Sequence, residues 1–240
     1  LAAVAMTMLI LLSMLAGLAA FVGAGLGCIV ELKKGLISAE MHRTIIAFGG
    51  GALIGAVGLV LVPHGLESQP VWLGLGTFLA GGLVFLIIDH ALKRRGTPVS
   101  QLVALNLDFI PEAIVLGAVI SGDFEMALFL TAIIVAQNLP EGFNAYREIR
   151  QSHAGFLRKH VLQIMSGCIA VGPLAAMSGY WLFSLDNMIL GSIMTFCAGG
   201  ILYLVFEDVA PDAHRTGDWR PALGAVIGFS VALVGFGLTG

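Results

Sequence analysis

The sequence predicts an all-α integral membrane protein of eight spanning helices, with both termini on the extracellular or periplasmic side. Three observations carry that expectation. The chain is 58% hydrophobic and only 11% charged, whereas a soluble domain carries about a quarter charged residues. Its apolar residues come in blocks of about 20, the length that crosses a hydrocarbon core. All twelve basic residues are confined to four loops.

Taken in order, the apolar blocks run from Ala3 to Val30, Thr44 to Pro63, Val71 to Ile88 and Val99 to Ile120. Four more follow, from Phe124 to Ala145, Val161 to Ser184, Asn187 to Phe206 and Pro221 to Thr239. The first block has no basic flank and no cleavage site, so it is expected to be a true span and not a signal peptide. The 32 glycines suit close helix approach in a membrane. Polar connections alternate with short ones such as Ser121–Asp123 and Leu185–Asp186. Residues 1–240 are therefore expected to form a single transmembrane domain, multi-pass in the cell (inner) membrane.

The basic residues test the count. Lys33, Lys34 and Arg43 follow the first block, and Lys93, Arg94 and Arg95 the third. Arg147, Arg150, Arg158 and Lys159 surround the end of the fifth, and Arg215 and Arg220 follow the seventh. The other loops and both termini contain none, so eight spans put every basic residue on the cytoplasmic side, as the positive-inside rule requires. No basic cluster interleaved with aromatics points to nucleic acid. Cys28, Cys168 and Cys197 lie in apolar segments and read as packing residues, not a disulfide framework.

No lysine or arginine falls inside a predicted span, yet Asp108, Glu112 and Glu141 do, with Glu207 and Asp208 at the inner end of the seventh. A carboxylate deep in a bilayer costs roughly 2.5–3.5 kcal/mol or more unless neutralised. With no built-in cation, a proton or a bound cation must do it. The fourth block reads Asp108-Phe109-Ile110-Pro111-Glu112 and the fifth Gln137-Asn138-Leu139-Pro140-Glu141. In each, a polar residue stands four positions before the glutamate, on the same helix face. Each proline also frees a carbonyl one turn earlier, at Leu107 and Ala136. Carboxylates, amides and carbonyls make an oxygen-rich site between the fourth and fifth helices that suits divalent cations. The bland alternative is polar glue between two helices, and two matched Pro-Glu motifs weigh against it.

These motifs resemble those of the ZIP (Zrt/Irt-like) family of divalent metal transporters. In that family the fourth helix reads His-Asn-x-Pro-Glu-Gly and the fifth carries His-Glu or Gln-Asp before x-Pro and a final Glu or His. Ala47–Gly51 on the second helix and Gly200–Tyr203 on the seventh are also similar to it. The resemblance implies that Asp108, Glu112, Gln137 and Glu141 bind the transported ion, with Asn138 beside them. It implies a transporter, not an enzyme, with no prosthetic group, a lipid bilayer around it, and a homodimer left open. Asp108 stands where the family has histidine, and an all-oxygen set suits manganese, iron(II) or larger hard ions better, while zinc stays the default and Cd a related ion. Phe109 replaces an asparagine, Asn138 a bridging acid, and the sixth helix is apolar around Ala170, so a second metal site found in many members is expected to be lost. A proton-coupled carrier of another cation is the alternative. His64 and Glu67 read either as an ion entrance or as solvated interface residues, and Glu207 and Asp208 as an exit path. Asp89 is expected to pair with the basic residues that follow it.

Overall fold

The computed structural model describes residues 2–33, 35–95, 98–152, 155–183 and 187–239. Lys34, His153 and the Leu185–Asp186 connection lie outside the described residues. Helices account for nearly all of it, and no strand occurs among the described residues. They are α1 (Ala2–Leu32), α2 (Ala39–Glu67), α3 (Val71–Arg95), α4 (Pro98–Val119), α5 (Phe124–Ser152), α6 (158–183), α7 (Asn187–Ala213) and α8 (Arg220–Thr239). Seven are long and apolar enough, within the described residues, to cross a membrane. The remaining helix, α4, has 22 residues and contains Pro111 without a break.

Two helices run further than their apolar blocks. α2 continues past Pro63 to Glu67 and α7 past Phe206 to Ala213, each through a π-helical turn, at Val57–Leu61 and Val205–Val209. Each turn ends two residues before a proline, Pro63 or Pro211. A proline cannot donate to the carbonyl four residues back and its ring collides with it. The wider turn accommodates this, with the Val62 N–H donating to Val57 O and the Ala210 N–H to Val205 O. His64 and Glu67 therefore sit on a helix, not in a loop. α6 is interrupted at residues 166–167, between Arg158–Met165 and Cys168–Phe183.

Glycines set how the helices meet. A Cβ on Gly23 of α1 would overlap the Leu139 carbonyl of α5, and one on Gly142 of α5 would overlap the Ala20 carbonyl of α1. The same reciprocal arrangement joins α1 to α6, α4 to α6, α2 to α8, α2 to α7 and α3 to α7. Backbones this close gain dispersion and Cα–H···O contacts that larger residues forbid. All of these pairings fall within two groups, α1–α4–α5–α6 and α2–α3–α7–α8. Between the groups, α2 meets α5 where Gly49 faces the Pro140 ring, with 3.0 Å from a Cβ placed there to Pro140 Cγ.

Polar clasps hold the ends. At the end carrying the basic loops, Glu31 of α1 accepts from Tyr146 (2.5 Å) and pairs with Arg150 (2.7 Å) of α5 and Arg158 (3.4 Å) of α6. At the other end, Gln69 donates to Thr195 of α7 (3.0 Å), and the Thr195 and Thr77 hydroxyls lie 2.6 Å apart.

Candidate metal centre

α4 and α5 pack side by side and turn their Pro-Glu motifs toward each other. Glu112 is 1% exposed, Gln137 0% and Asp108 5%. The Gln137 amide donates to Glu112 Oε2. The Phe109 backbone N–H donates to Asp108 Oδ1 over 2.8 Å, fixing that carboxylate. Glu141 comes within hydrogen-bonding reach of Asp108, and Asp108, Glu112 and Glu141 are close enough to feel one another's charge. Two ionised carboxylates have no hydrogen to donate, so such a pair needs a proton or a cation between its oxygens.

The unmet acceptors make the point sharper. Glu112 Oε1, Gln137 Oε1, Asn138 Oδ1 and both oxygens of Glu141 are buried without a hydrogen-bond partner in the protein. Buried polar atoms are rarely left this way, and here they cluster on two adjacent helix turns. A set of acceptors without donors is what a cation's oxygen shell requires. Asn138 is anchored differently from the rest, because its amide donates to the Ala16 carbonyl of α1 (3.0 Å). It sits beside the cluster and ties α5 to α1.

Phe109 points the other way. It is 2% exposed and packs with Ala16, Ala113 and Ile134. Its ring tip reaches α6, 2.9 Å from where a Cβ on Gly172 would stand. The space between α4 and α6 is therefore filled by an aromatic ring, and the nearest polar groups there, Asn106 and Cys168, bond to each other at 3.6 Å.

A cavity of about 360 Å³ runs from Asp108, Pro140 and Glu141 toward the basic-loop end, past Asn144 and Glu148 of α5, Asp89 and Lys93 of α3, and Asp208 and Asp212 of α7. Glu141, Asn144 and Glu148 form one stripe on α5, at a spacing of three and four residues. Asn144 and Glu148 lie outside the two Pro-Glu motifs, and only this spacing marks them in the sequence. On the opposite side of the cluster, Val57, Val60, Leu116, Leu130 and Met194 close the bundle with apolar packing.

The outlying candidates divide. Asp89 pairs with Lys93 at 2.9 Å, as its position suggested, and Lys93 also bridges Glu207 (2.9 Å) and Asp208 (2.8 Å). Asp208 thus lines the cavity mouth, with Glu207 beside it. His64 Nδ1 lies 2.9 Å from the Val60 carbonyl of its own helix, and Glu67 is exposed. Neither lines that cavity.

No family profile matches the chain. Two curated relatives align with nearly all of it. The zinc transporter ZIPB of Bordetella bronchiseptica is 26% identical over 246 residues, covering 92% of this chain and 79% of that protein. The zinc transporter GufA of Myxococcus xanthus is 27% identical over 248 residues, covering 92% of this chain and 96% of that protein. Over nearly its whole length the chain is similar to these two zinc transporters. Both relatives are named as transporters, and this chain, with seven helices long and apolar enough to span, is a multi-pass membrane protein.

Proposed function

We propose that this chain is a ZIP-family transporter that carries zinc or a related divalent ion (Mn, Fe(II) or Cd) into the cytoplasm through one oxygen-rich site formed by Asp108, Glu112, Gln137 and Glu141. The reading includes eight spans with both termini outside, so that the basic-loop end faces the cytoplasm. One observation carries it: the cluster of buried, unpartnered acceptor oxygens on α4 and α5, which a divalent cation satisfies and a hydrogen-bonded helix contact does not. The names of the two relatives agree with it.

The cycle follows from the packing. The ion sheds its water among carboxylate and amide oxygens that replace the lost hydration. The cavity from Asp108 and Glu141 toward the basic loops gives it a path inward, while the apolar packing opposite keeps the other side shut. Alternating access then needs the helix group that bears the site to shift against α2, whose Gly49 offers the Pro140 ring a smooth surface. A single site is supported by Phe109, whose ring occupies the ground a second ion would need.

Radiotracer uptake into proteoliposomes containing the purified protein tests this, with zinc, cadmium, manganese and iron(II) in competition. Metal-dependent uptake is the expected result. A protein that moves protons or an organic cation with no metal dependence would instead favour the rival carrier, which the close Asp108–Glu141 pair also fits.

A further inference from the structure

Lys93 lines the same cavity as Asp108 and Glu141. Along that cavity stand six carboxylates, Asp89, Asp108, Glu141, Glu148, Asp208 and Asp212, and Lys93 is the one Lys or Arg among the described lining residues. Its Nζ touches three acids at once: Asp89 at 2.9 Å, Glu207 at 2.9 Å and Asp208 at 2.8 Å. An i,i+4 helix pair accounts for Asp89. It does not account for two acids on α7, 114 and 115 residues further along the chain.

Oxygens of those three acids lie within 4.8 Å of one another, a spread that an oxygen-coordinated divalent ion can fill. An ion leaving Asp108 and Glu141 passes this cluster on its way out. Left uncompensated, the cluster would compete for the cargo and hold it, because Asp89 is nearly buried, with 4% of its side chain exposed. Lys93 is 45% exposed, and a half-exposed ammonium on a flexible stem exchanges partners readily.

Building on the metal-transport reading above, we propose that Lys93 is a tethered counter-ion of the exit path. Its ammonium occupies the Asp89–Glu207–Asp208 cluster, so the departing ion is passed on and not trapped. Lys93 acts through the acids it neutralises and is a positioning residue. Its role is to make the mouth of the cavity a poor metal site.

Cadmium-binding stoichiometry of the purified protein by equilibrium dialysis tests this, paired with uptake in proteoliposomes. Wild type is expected to hold one ion, Lys93→Gln two, and Lys93→Gln with Asp89→Asn one again. Maximal uptake by Lys93→Gln should fall severalfold, with half-saturation at lower metal concentration, and Lys93→Arg should rescue both readouts. A mere tie between α3 and α7 predicts lower thermal stability and no extra ion. Lys93→Met, which keeps the aliphatic stem, serves if the glutamine variant does not fold. In a Glu112→Ala background, Lys93→Gln should bind one ion where Glu112→Ala alone binds none. That gain supports the counter-ion role even if wild type proves not to transport metal. A folded Lys93→Gln or Lys93→Met protein that binds no more cadmium than its parent in either background overturns it.

Discussion

Glu112 holds one oxygen against the Gln137 amide and leaves the other with nothing to bond. Removing that side chain deletes one donor oxygen from the proposed cage and orphans the Gln137 amide as well, so Glu112→Ala should bring metal uptake to background. Near-normal uptake by the folded variant would refute the role assigned to Glu112. Phe109 poses the complementary test. An anomalous diffraction map of the cadmium-loaded protein should show a single ion between α4 and α5, and two adjacent ions would contradict the one-site reading. Trimming the ring with Phe109→Ala should destabilise the protein by about 3–5 kcal/mol, as a large buried aromatic does when it leaves a void. Thermal unfolding in detergent reads this directly, and it separates the packing role of Phe109 from the binding role of its neighbours.

At the scale of helices, the close approaches rest on absent side chains. Gly117 of α4 faces the Ala176 carbonyl and Gly179 of α6 faces the Ile114 carbonyl. This pairing lies two to five residues beyond Glu112, so it sets the position of the site without touching an ion. Gly179→Ala should cost about 1–3 kcal/mol through overpacking, lowering the melting temperature while leaving the number of bound metal ions unchanged. Lost metal binding at full stability would show that the pairing does something else. Gly217, by contrast, is needed for its backbone, since its φ of +83° in the turn before α8 disfavours any side chain.

For the whole molecule, the two helix groups meet where α2 lies against α5. A Cβ built on Gly49 would stand 3.5 Å from Pro140 Cβ, at the short end of the range of about 3.5–4.5 Å spanned by a disulfide. With Cys28, Cys168 and Cys197 replaced, the pair Gly49→Cys and Pro140→Cys should transport when reduced and stop when oxidised. Undiminished uptake after complete crosslinking would exclude a relative shift of the two groups. Much of this architecture was legible in the sequence. Blocks of about 20 apolar residues mark the helices, and matched Pro-Glu motifs mark the candidate site, because membrane depth forces both patterns. What stayed hidden depended on hydrogen bonding or on distant partners. The ends of α2 and α7 turn polar at His64 and Glu207 while the backbone ladder continues, so hydropathy ended them early. Lys93 read as one more cytoplasmic charge, since nothing local says that its partners lie on α7. Asp108 and Glu141 lie on helix faces that the motif spacing expects to meet, but the cavity joining them to Asp208 comes from packing alone.

None of the reciprocal glycine–carbonyl pairings among the described residues joins consecutive helices. α1 waits for α5 and α6, α3 for α7, and α2 for α8. A chain emerging helix by helix into the bilayer therefore cannot seat these glycines within a hairpin of consecutive helices. Each early helix must keep a glycine notch open to lipid until a much later one arrives. The closest backbone approaches of the bundle are for that reason late ones, and a chain ending at Ala213 would leave Gly51 without the Ala225 carbonyl that seats it.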